Sequence, residues 1–469
     1  MPDIEAVALQ ALSETTFDTY WLDSLRGEQS QPALELSIEC DLLVVGGGFC
    51  GLWTAIQARE QQPQRNVVLI EARSIANGAS GRPAAIMSTS VMHGIDNTER
   101  MFPQEVAELE KLGRENMDGF RAAVERYSID CDIEWGGEMK VSIGDQGLET
   151  IEEDYQLYCK YDHDAEKLDK EQVQAEIRSP IFHAAVWSKK RSGTVHPGKL
   201  VRGLKRAALD LGVRIYENTP MLSNSLREGK VVVNTPNASI EANKVLLATN
   251  AWAAGHRKIS TRVAAIRDRI LVTEPLTPAQ MEKVGWAHRQ GIYDTRTQLN
   301  YMRLTADNRI LFGGRLDYFF GNDTDPALDK TAAPYVRLAQ SFYRTFPQLQ
   351  DEIMFSHAWS GPIGLTTRMA VHYQSYHRGK MVFAGGYSGF GVTASRFGAR
   401  VGLAILDGQD LPETHMTFAR TLPNYIPPEP FRWIGAKITM YALDTLDEKG
   451  GWRVLWVKLV QKMGFPITL

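Results

Sequence analysis

Cys40-Asp41-Leu42-Leu43-Val44-Val45-Gly46-Gly47-Gly48-Phe49-Cys50-Gly51-Leu52-Trp53-Thr54-Ala55 is the stretch whose reading decides the fold. Leu42 to Val45 are consecutive apolar residues ending in two β-branched ones, the signature of a buried strand. The glycines then fall as Gly46-x-Gly48-x-x-Gly51, and a helix-compatible run follows to Glu60. Gly46 permits a tight turn, Gly48 lets a pyrophosphate approach the backbone, and Gly51 lets the helix pack closely on the strand. The helix start turns its unpaired N–H groups and positive dipole end toward the phosphates. A second strand, Asn66-Val67-Val68-Leu69-Ile70, runs into Glu71, twenty positions past Gly51. A carboxylate there grips the ribose hydroxyls of an adenine nucleotide. Strand, glycine triplet, helix, strand and acid in register predict a dinucleotide site, and the acid favours NAD or FAD over NADP.

Working outward, 469 residues give room for two domains sharing an interface. A formal net charge of −4 carries no nucleic-acid footprint. The first twenty-five residues hold several acids and no Lys or Arg, the wrong sign for a secretory or mitochondrial leader. No run approaches the ~18 uncharged apolar residues of a membrane-spanning helix, so the expected location is cytoplasmic. Cys40, Cys50, Cys131 and Cys159 form no C-x-x-C pair and read as reduced, mostly buried thiols, with no metal site.

Residues 1–35 are acidic, with Phe17, Tyr20, Trp21 and Leu22 expected to dock on the body of the protein. After the βαβ unit comes Arg73-Ser74-Ile75-Ala76-Asn77-Gly78-Ala79-Ser80-Gly81-Arg82-Pro83-Ala84-Ala85. A loop so poor in side chains either lets a large ligand lie against its backbone or is a plain surface loop. Helical spacing is expected from Pro103 to Tyr127 and over the charged run from Leu148 to Ile177. Gly193-Thr194-Val195-His196-Pro197 leads into a helix from Lys199 to Leu211, where His196 reads as a cap or packing residue more than a catalyst. The strand Lys244 to Trp252 ends on small and polar residues, Ala248-Thr249-Asn250-Ala251. Arg267–Thr273, Leu299–Leu304 and Arg309–Gly313 suggest a separate antiparallel sheet. A late strand, Met381 to Ala384, runs into the loop Gly385 to Val392 and a helix rich in Gly and Ala.

Five of these pieces, in this order, resemble the D-amino-acid-oxidase-type flavoproteins, which include glycine, sarcosine and γ-glutamylputrescine oxidases. They are Gly46 to Gly51, Gly78 to Arg82, Gly193 to Pro197, Ala248 to Ala251 and Gly385 to Gly391, and the likeness spans residues 36–415. Gly78-Ala79-Ser80-Gly81-Arg82 looks closest to the γ-glutamylputrescine-oxidase-like branch. The resemblance implies a mixed α/β fold, with a Rossmann-type FAD-binding domain and a discontinuous antiparallel-sheet substrate domain. The expected boundaries are 36–90, 190–260 and 375–415 for FAD, and 91–189 with 261–374 for substrate. Residues 1–35 and 416–469 are extensions. It implies non-covalent FAD held by Gly46, Gly48, Phe49, Cys50, Gly51, Glu71, Ala72, Arg73, Gly78, Ala79, Ser80, Gly81, Arg82, Met221, Thr249, Asn250, Gly386, Ser388, Gly389, Phe390, Gly391 and Val392. A late glycine loop before a helix suits a flavin better than a nicotinamide, because the helix dipole can stabilise charge gathered on the reduced ring.

The implied chemistry is hydride transfer from a carbon beside nitrogen, in an amine or amino acid, with O2 or a quinone as final acceptor. Positioning dominates such a reaction, so no acid–base relay is expected. Tyr301 and Arg303, at i and i+2 of a strand, share a face. That face lies either over the flavin, with Arg303 meeting an anionic substrate group, or in solvent. Trp359 is either a cavity wall or a core residue at a turn, and Tyr387 and Phe390 are expected beside the flavin. Ser360 stands near the place of a carboxylate-binding arginine in the family, which leaves room for an amine or a differently anchored acid. Arg267 and Arg269 stand where sarcosine oxidases use a lysine to speed reaction with O2. A dehydrogenase acting on a C–N or 2-hydroxy-acid substrate and feeding a quinone is the alternative enzyme. A non-catalytic scaffold or partner subunit is the alternative of another class. Beyond Pro427-Pro428-Glu429-Pro430, Trp452 to Met463 forms a basic amphipathic helix that lies on an anionic membrane, on its own domain or on a neighbouring subunit.

Overall fold

Ile38–Val45 lies at the centre of an eight-stranded sheet, with Val67–Ile70 and Ser239–Leu247 parallel to it on either side. Arg214–Tyr216 extends the sheet beyond Val67–Ile70, and Met381–Gly385 extends it beyond Ser239–Leu247. The computed structural model describes residues 4–465 apart from 28, 162, 191, 256 and 257. Leu42 and Val44 face the helices Phe49–Gln61, Pro197–Asp210 and Gly391–Asp407, while Leu43 and Val45 face Val231, Val245 and Ile259. Burial on both faces explains why these strands read as continuous apolar runs. The register pairs Val45 with both Leu247 and Ile70, and Leu247 with Phe383. The carboxyl ends of four parallel strands therefore share one edge, which delivers Gly46, Glu71, Ala248 and Gly386 side by side.

A second eight-stranded sheet runs Phe355–Leu365, Ala264–Thr273, Ile310–Tyr318, Tyr301–Leu304, Gly291–Asp294, Glu138–Ile143, Phe182–Ser188 and Glu166–Leu168. Its pairings are antiparallel except between Gly291–Asp294 and Glu138–Ile143. The three strands expected from the sequence are present in it. The run Leu148 to Ile177 is not one helix: Leu148–Lys160 and Lys170–Glu176 flank the strand Glu166–Leu168. Asp169 and Gln172 close a reciprocal capping box that starts the second helix afresh. Trp359 to Pro362 sits within an edge strand and not at a turn, where a proline's missing N–H costs no ladder bond. Ser239–Leu247 stops short of Trp252, and Asn250–Gly255 is a 3₁₀ turn.

The amino-terminal segment docks as expected. Trp21 is buried, with its indole N–H donating to Pro83 O at 2.8 Å, and Phe17 packs on Tyr335. At the other end, the sequence reading missed the helix Phe431–Lys449, which pairs with Trp452–Lys462 through Trp456 Nε1 to Thr439 Oγ1 at 3.0 Å. Ala436 and Met440 of the longer helix pack on Ile266 and Tyr318 of the second sheet, and Asp444 pairs with Arg315 and Arg337. Among the described residues, no helix is long and apolar enough to cross a membrane.

Candidate active site

Gly46 and Gly51 build the first turn. Gly46 has φ +111°, and a Cβ on Gly51 would lie 1.9 Å from Gly46 O, so the helix seats against the strand end only because that atom is missing. Glu71 waits at the neighbouring strand end. One carboxylate oxygen accepts from Gly47 N–H at 2.7 Å and the other from Arg73 N–H at 3.0 Å. Burial raises the carboxyl above its ordinary range despite these donors. Ser80 comes over from the Ala79–Gly81 turn, and its Oγ accepts from Phe49 N–H at 2.9 Å. Ala72 and Arg73 are exposed beyond Glu71, and Thr219, two residues before Met221, donates its N–H to Glu71 O at 2.8 Å.

The late loop closes on the same edge. Asn250 Oδ1 accepts from Gly386 N–H at 2.9 Å, and Ser388 N–H donates to Gly364 O at 3.0 Å. Neither helix that opens here, at Phe49 or at Gly391, is capped by the side chain of its own N-cap residue, and Ser80 takes the Phe49 N–H from outside the helix. Helix starts without a cap of their own, an oriented half-buried carboxylate and a glycine edge with room for backbone approach fit an adenine dinucleotide. Phe390, half-exposed, packs on His93 with ring centroids 4.2 Å apart. His93, which sequence reasoning passed over, is half-buried and held neutral, its pKa pushed down to about 4 by desolvation.

The second sheet turns one face to the Gly78–Ala85 loop. Ile270 and Trp359 are paired across strands and pack with Ala84, Val272 and Leu311, and Tyr301 borders this cluster. Asp268 is paired with Gly361, two residues along from Ile270, and shares that face; a Cβ on Gly361 would meet Arg82 at 3.1 Å. Tyr301 O–H donates to Asp268 Oδ2 at 2.7 Å. Sequence reasoning missed Asp268. Its signal was an acid alternating with two arginines in an otherwise apolar strand.

Several expected roles are corrected here. Tyr301 and Arg303 do project from one face, but Arg303 is no free seat for a substrate anion. Its Nη1 donates to Val195 O at 2.7 Å, Ala84 O at 3.3 Å and Ala85 O at 3.4 Å, and its Nε donates to Leu304 O. It also borders a cavity of about 240 Å³ beside Trp21 and His196. Burial lowers its pKa to about 10. Trp359 donates its indole N–H to Arg82 O at 2.9 Å and is buried behind the loop. Tyr387 points into the core, donating to Cys50 Sγ at 3.2 Å and filling the space over Gly398. Arg267 and Arg269 face the other side of the sheet and pair with Asp329, Arg269 also with Asp317. Ser360 joins them through Asp329. His196, by contrast, does what was expected of it and caps the helix Pro197–Asp210, its Nδ1 accepting from Lys199 N–H at 3.2 Å.

A dinucleotide edge is joined here to a separate, largely antiparallel sheet packed on the Gly78–Ala85 loop. The chain belongs to the DAO family of FAD dependent oxidoreductases, whose profile matches residues 41–402; it is an enzyme of that class and uses FAD. It is 28% identical over 403 residues to the probable oxidoreductase OrdL of Haemophilus influenzae, covering 84% of this chain and 88% of that one. It is 29% identical over 398 residues to gamma-glutamylputrescine oxidoreductase of Escherichia coli, with the same coverage of 84% and 88%. The fold matches glycine oxidase from Geobacillus kaustophilus with a TM-score of 0.69 at 16% identity, over 82% of this chain and 99% of that one.

No cysteine follows Cys159, so the late half of the chain offers no thiol for a flavin bond. Acid precipitation is expected to leave free FAD in the supernatant. Flavin fluorescence travelling with the denatured chain on a gel would refute this.

Proposed function

We propose that the enzyme oxidises a C–N bond in an amine or amino acid. The observation that carries this reading is the sheet face turned to the Gly78–Ala85 loop, where Tyr301 donates to Asp268 and Ile270 and Trp359 pack with Ala84. Two relatives support it by name, one for gamma-glutamylputrescine and one for glycine. Bound FAD would supply the two-electron acceptor for hydride from the carbon beside nitrogen, to be reoxidised by O2 or another acceptor. The chain's own work is positional. Trp359 fixes the Arg82 carbonyl, Trp21 that of Pro83 and Arg303 those of Ala84 and Ala85, and Asp268 fixes the Tyr301 phenol. We take 36–90, 190–260 and 375–415 as the FAD-binding unit, and 91–189 with 261–374 as the substrate unit.

An anaerobic panel of amines, N-methyl amino acids, D- and L-amino acids and 2-hydroxy acids tests the reading by flavin absorbance. Rapid bleaching by an amine or amino acid is the expected result. Bleaching by hydroxy acids alone, or by nothing, overturns it.

One observation favours a quinone as acceptor, reached from a membrane surface. Phe431, Ile434, Tyr441, Trp452, Leu455, Leu459 and Met463 are exposed along the terminal helix pair, beside exposed Lys458 and Lys462. Such a basic, apolar stripe suits an anionic bilayer. Removing the whole tail would uncover Ile266 and Tyr318, so point changes make the cleaner test. Leu455→Glu with Leu459→Glu is expected to abolish sedimentation with phosphatidylglycerol vesicles at low salt while flavin content is unchanged. Wild-type protein that ignores those vesicles removes the membrane reading.

A further inference from the structure

We propose that Asp268 seats a cationic nitrogen of the substrate, so that this enzyme takes an amine and not a simple α-amino acid. The inference rests on the C–N reading above and narrows it. Asp268 lies on the sheet face shared with Tyr301, Ile270, Trp359 and Gly361, turned toward the loop at Arg82. The opposing strand bulges where it passes Asp268: Arg315 and Leu316 stand where one residue would, with Arg315 at φ +70° and the preceding Gly314 at +141°. Bulges of this kind re-aim side chains beside active sites.

The carboxylate is half-satisfied. Oδ2 takes the Tyr301 hydroxyl, whereas Oδ1 is buried with no hydrogen-bond partner among the described residues. A buried acceptor left without a donor is costly, and a charged one more so. Burial pushes the Asp268 carboxyl up to about 6, with the Tyr301 hydrogen bond opposing that rise, so the group is still largely ionised at neutral pH.

Arg269 helps hold the Asp268 carboxyl down through its backbone N–H and its charge, but the neighbouring guanidinium groups are engaged elsewhere. Arg267 and Arg269 project to the opposite face and are neutralised by Asp329 and Asp317. Arg303 is committed to backbone carbonyls, and Arg82 donates to Asn77 O and Ser360 O. An α-amino acid arriving beneath this face would bring a carboxylate to a surface that offers it an anion. An ammonium group would instead supply Oδ1 with the donor it lacks, in a charge-assisted bond, and would pass that proton to Oδ1 before hydride leaves the neighbouring carbon, because the nitrogen lone pair must be free to form the C=N bond.

Three isosteres test this on the holoenzyme: tert-butylammonium, tert-butanol and pivalate. None has a hydrogen on the carbon that bears its polar group, so none can give up a hydride there. Binding is read as the shift of the flavin visible spectrum. Tert-butylammonium is expected to bind at least about tenfold more tightly than the other two, and Asp268→Asn to erase that advantage, as loss of one charge-assisted bond implies. Flavin content and Tm of Asp268→Asn report its folding. The wild-type ranking tests the proposal even if that variant does not fold: pivalate binding as tightly as tert-butylammonium overturns it. Equal cation affinity in wild type and Asp268→Asn also overturns it. If amines bleach the flavin equally well in both proteins, this site fails and the C–N reading stands. If tert-butylammonium binds through Asp268 yet no nitrogen compound bleaches the flavin, the C–N reading fails and the site stands.

Discussion

Gly48→Val is expected to yield a nearly colourless protein. A Cβ on Gly48 would come 2.8 Å from Ser80 Oγ, inside any real contact distance. Ser80 in turn is held by Phe49 N–H, the first residue of the helix Phe49–Gln61. A branched side chain must push the Ala79–Gly81 turn away and occupy the opening where backbone and pyrophosphate meet. The apparent FAD Kd should rise by at least about a hundredfold, roughly 3 kcal/mol. Titration of apoprotein with FAD, followed by quenching of flavin fluorescence, measures it. Normal flavin content in the purified variant would show that the cofactor does not lie against Gly48. A change at Gly51 should do worse and prevent folding, because its obstacle is the Gly46 carbonyl and not a side chain that can turn.

Arg303→Met is expected to destabilise the fold far more than it alters substrate affinity. The guanidinium serves Val195 O, Ala84 O, Ala85 O and Leu304 O from a buried position. Methionine fills similar space and donates nothing, so several buried carbonyls lose their partner at about 1–3 kcal/mol each. Relief of the buried charge offsets part of that loss, leaving a net cost of about 3 kcal/mol. Thermal unfolding should move down, and flavin content should fall as the Ala84–Ala85 segment loosens. Arg303→Lys should not rescue it, since an ammonium group cannot reproduce the planar fork. An unchanged Tm together with a tenfold weaker grip on an anionic substrate would instead make Arg303 the anion seat.

The two variants fall on either side of a division in what the chain reveals. The Gly46–Gly51 turn, the strands beside it and Glu71 were legible because their causes are local. A glycine triplet at fixed spacing between an apolar strand and a helix has few other uses, and the acid follows at a distance set by one helix and one strand. The late Gly385–Gly391 loop was legible for the same reason, and so was the capping role of His196, which the order His-Pro-helix announces. The shared face of Tyr301 and Arg303 also came from strand periodicity alone.

Only the tertiary structure decided what those faces meet. Alternation places Asp268 opposite Arg267 and Arg269, but a period of two is symmetric, and nothing in it says which face is turned to the cofactor. The ladder with Phe355–Leu365 and the packing of Trp359 on Ala84 settle that choice, and they join residues far apart in the chain. Arg303 finds the Val195, Ala84 and Ala85 carbonyls more than a hundred residues away, and the Tyr387 hydroxyl finds Cys50 across |i−j| of 337. The tail follows the same logic. Its amphipathic pattern was visible, yet whether an apolar residue such as Val457 or Leu455 ends buried or exposed depends on the helix Phe431–Lys449 and on the sheet beneath it. Sequence periodicity fixes which residues stand together; long-range contacts fix what they stand against, because that is decided by the free energy of burying one whole face rather than another.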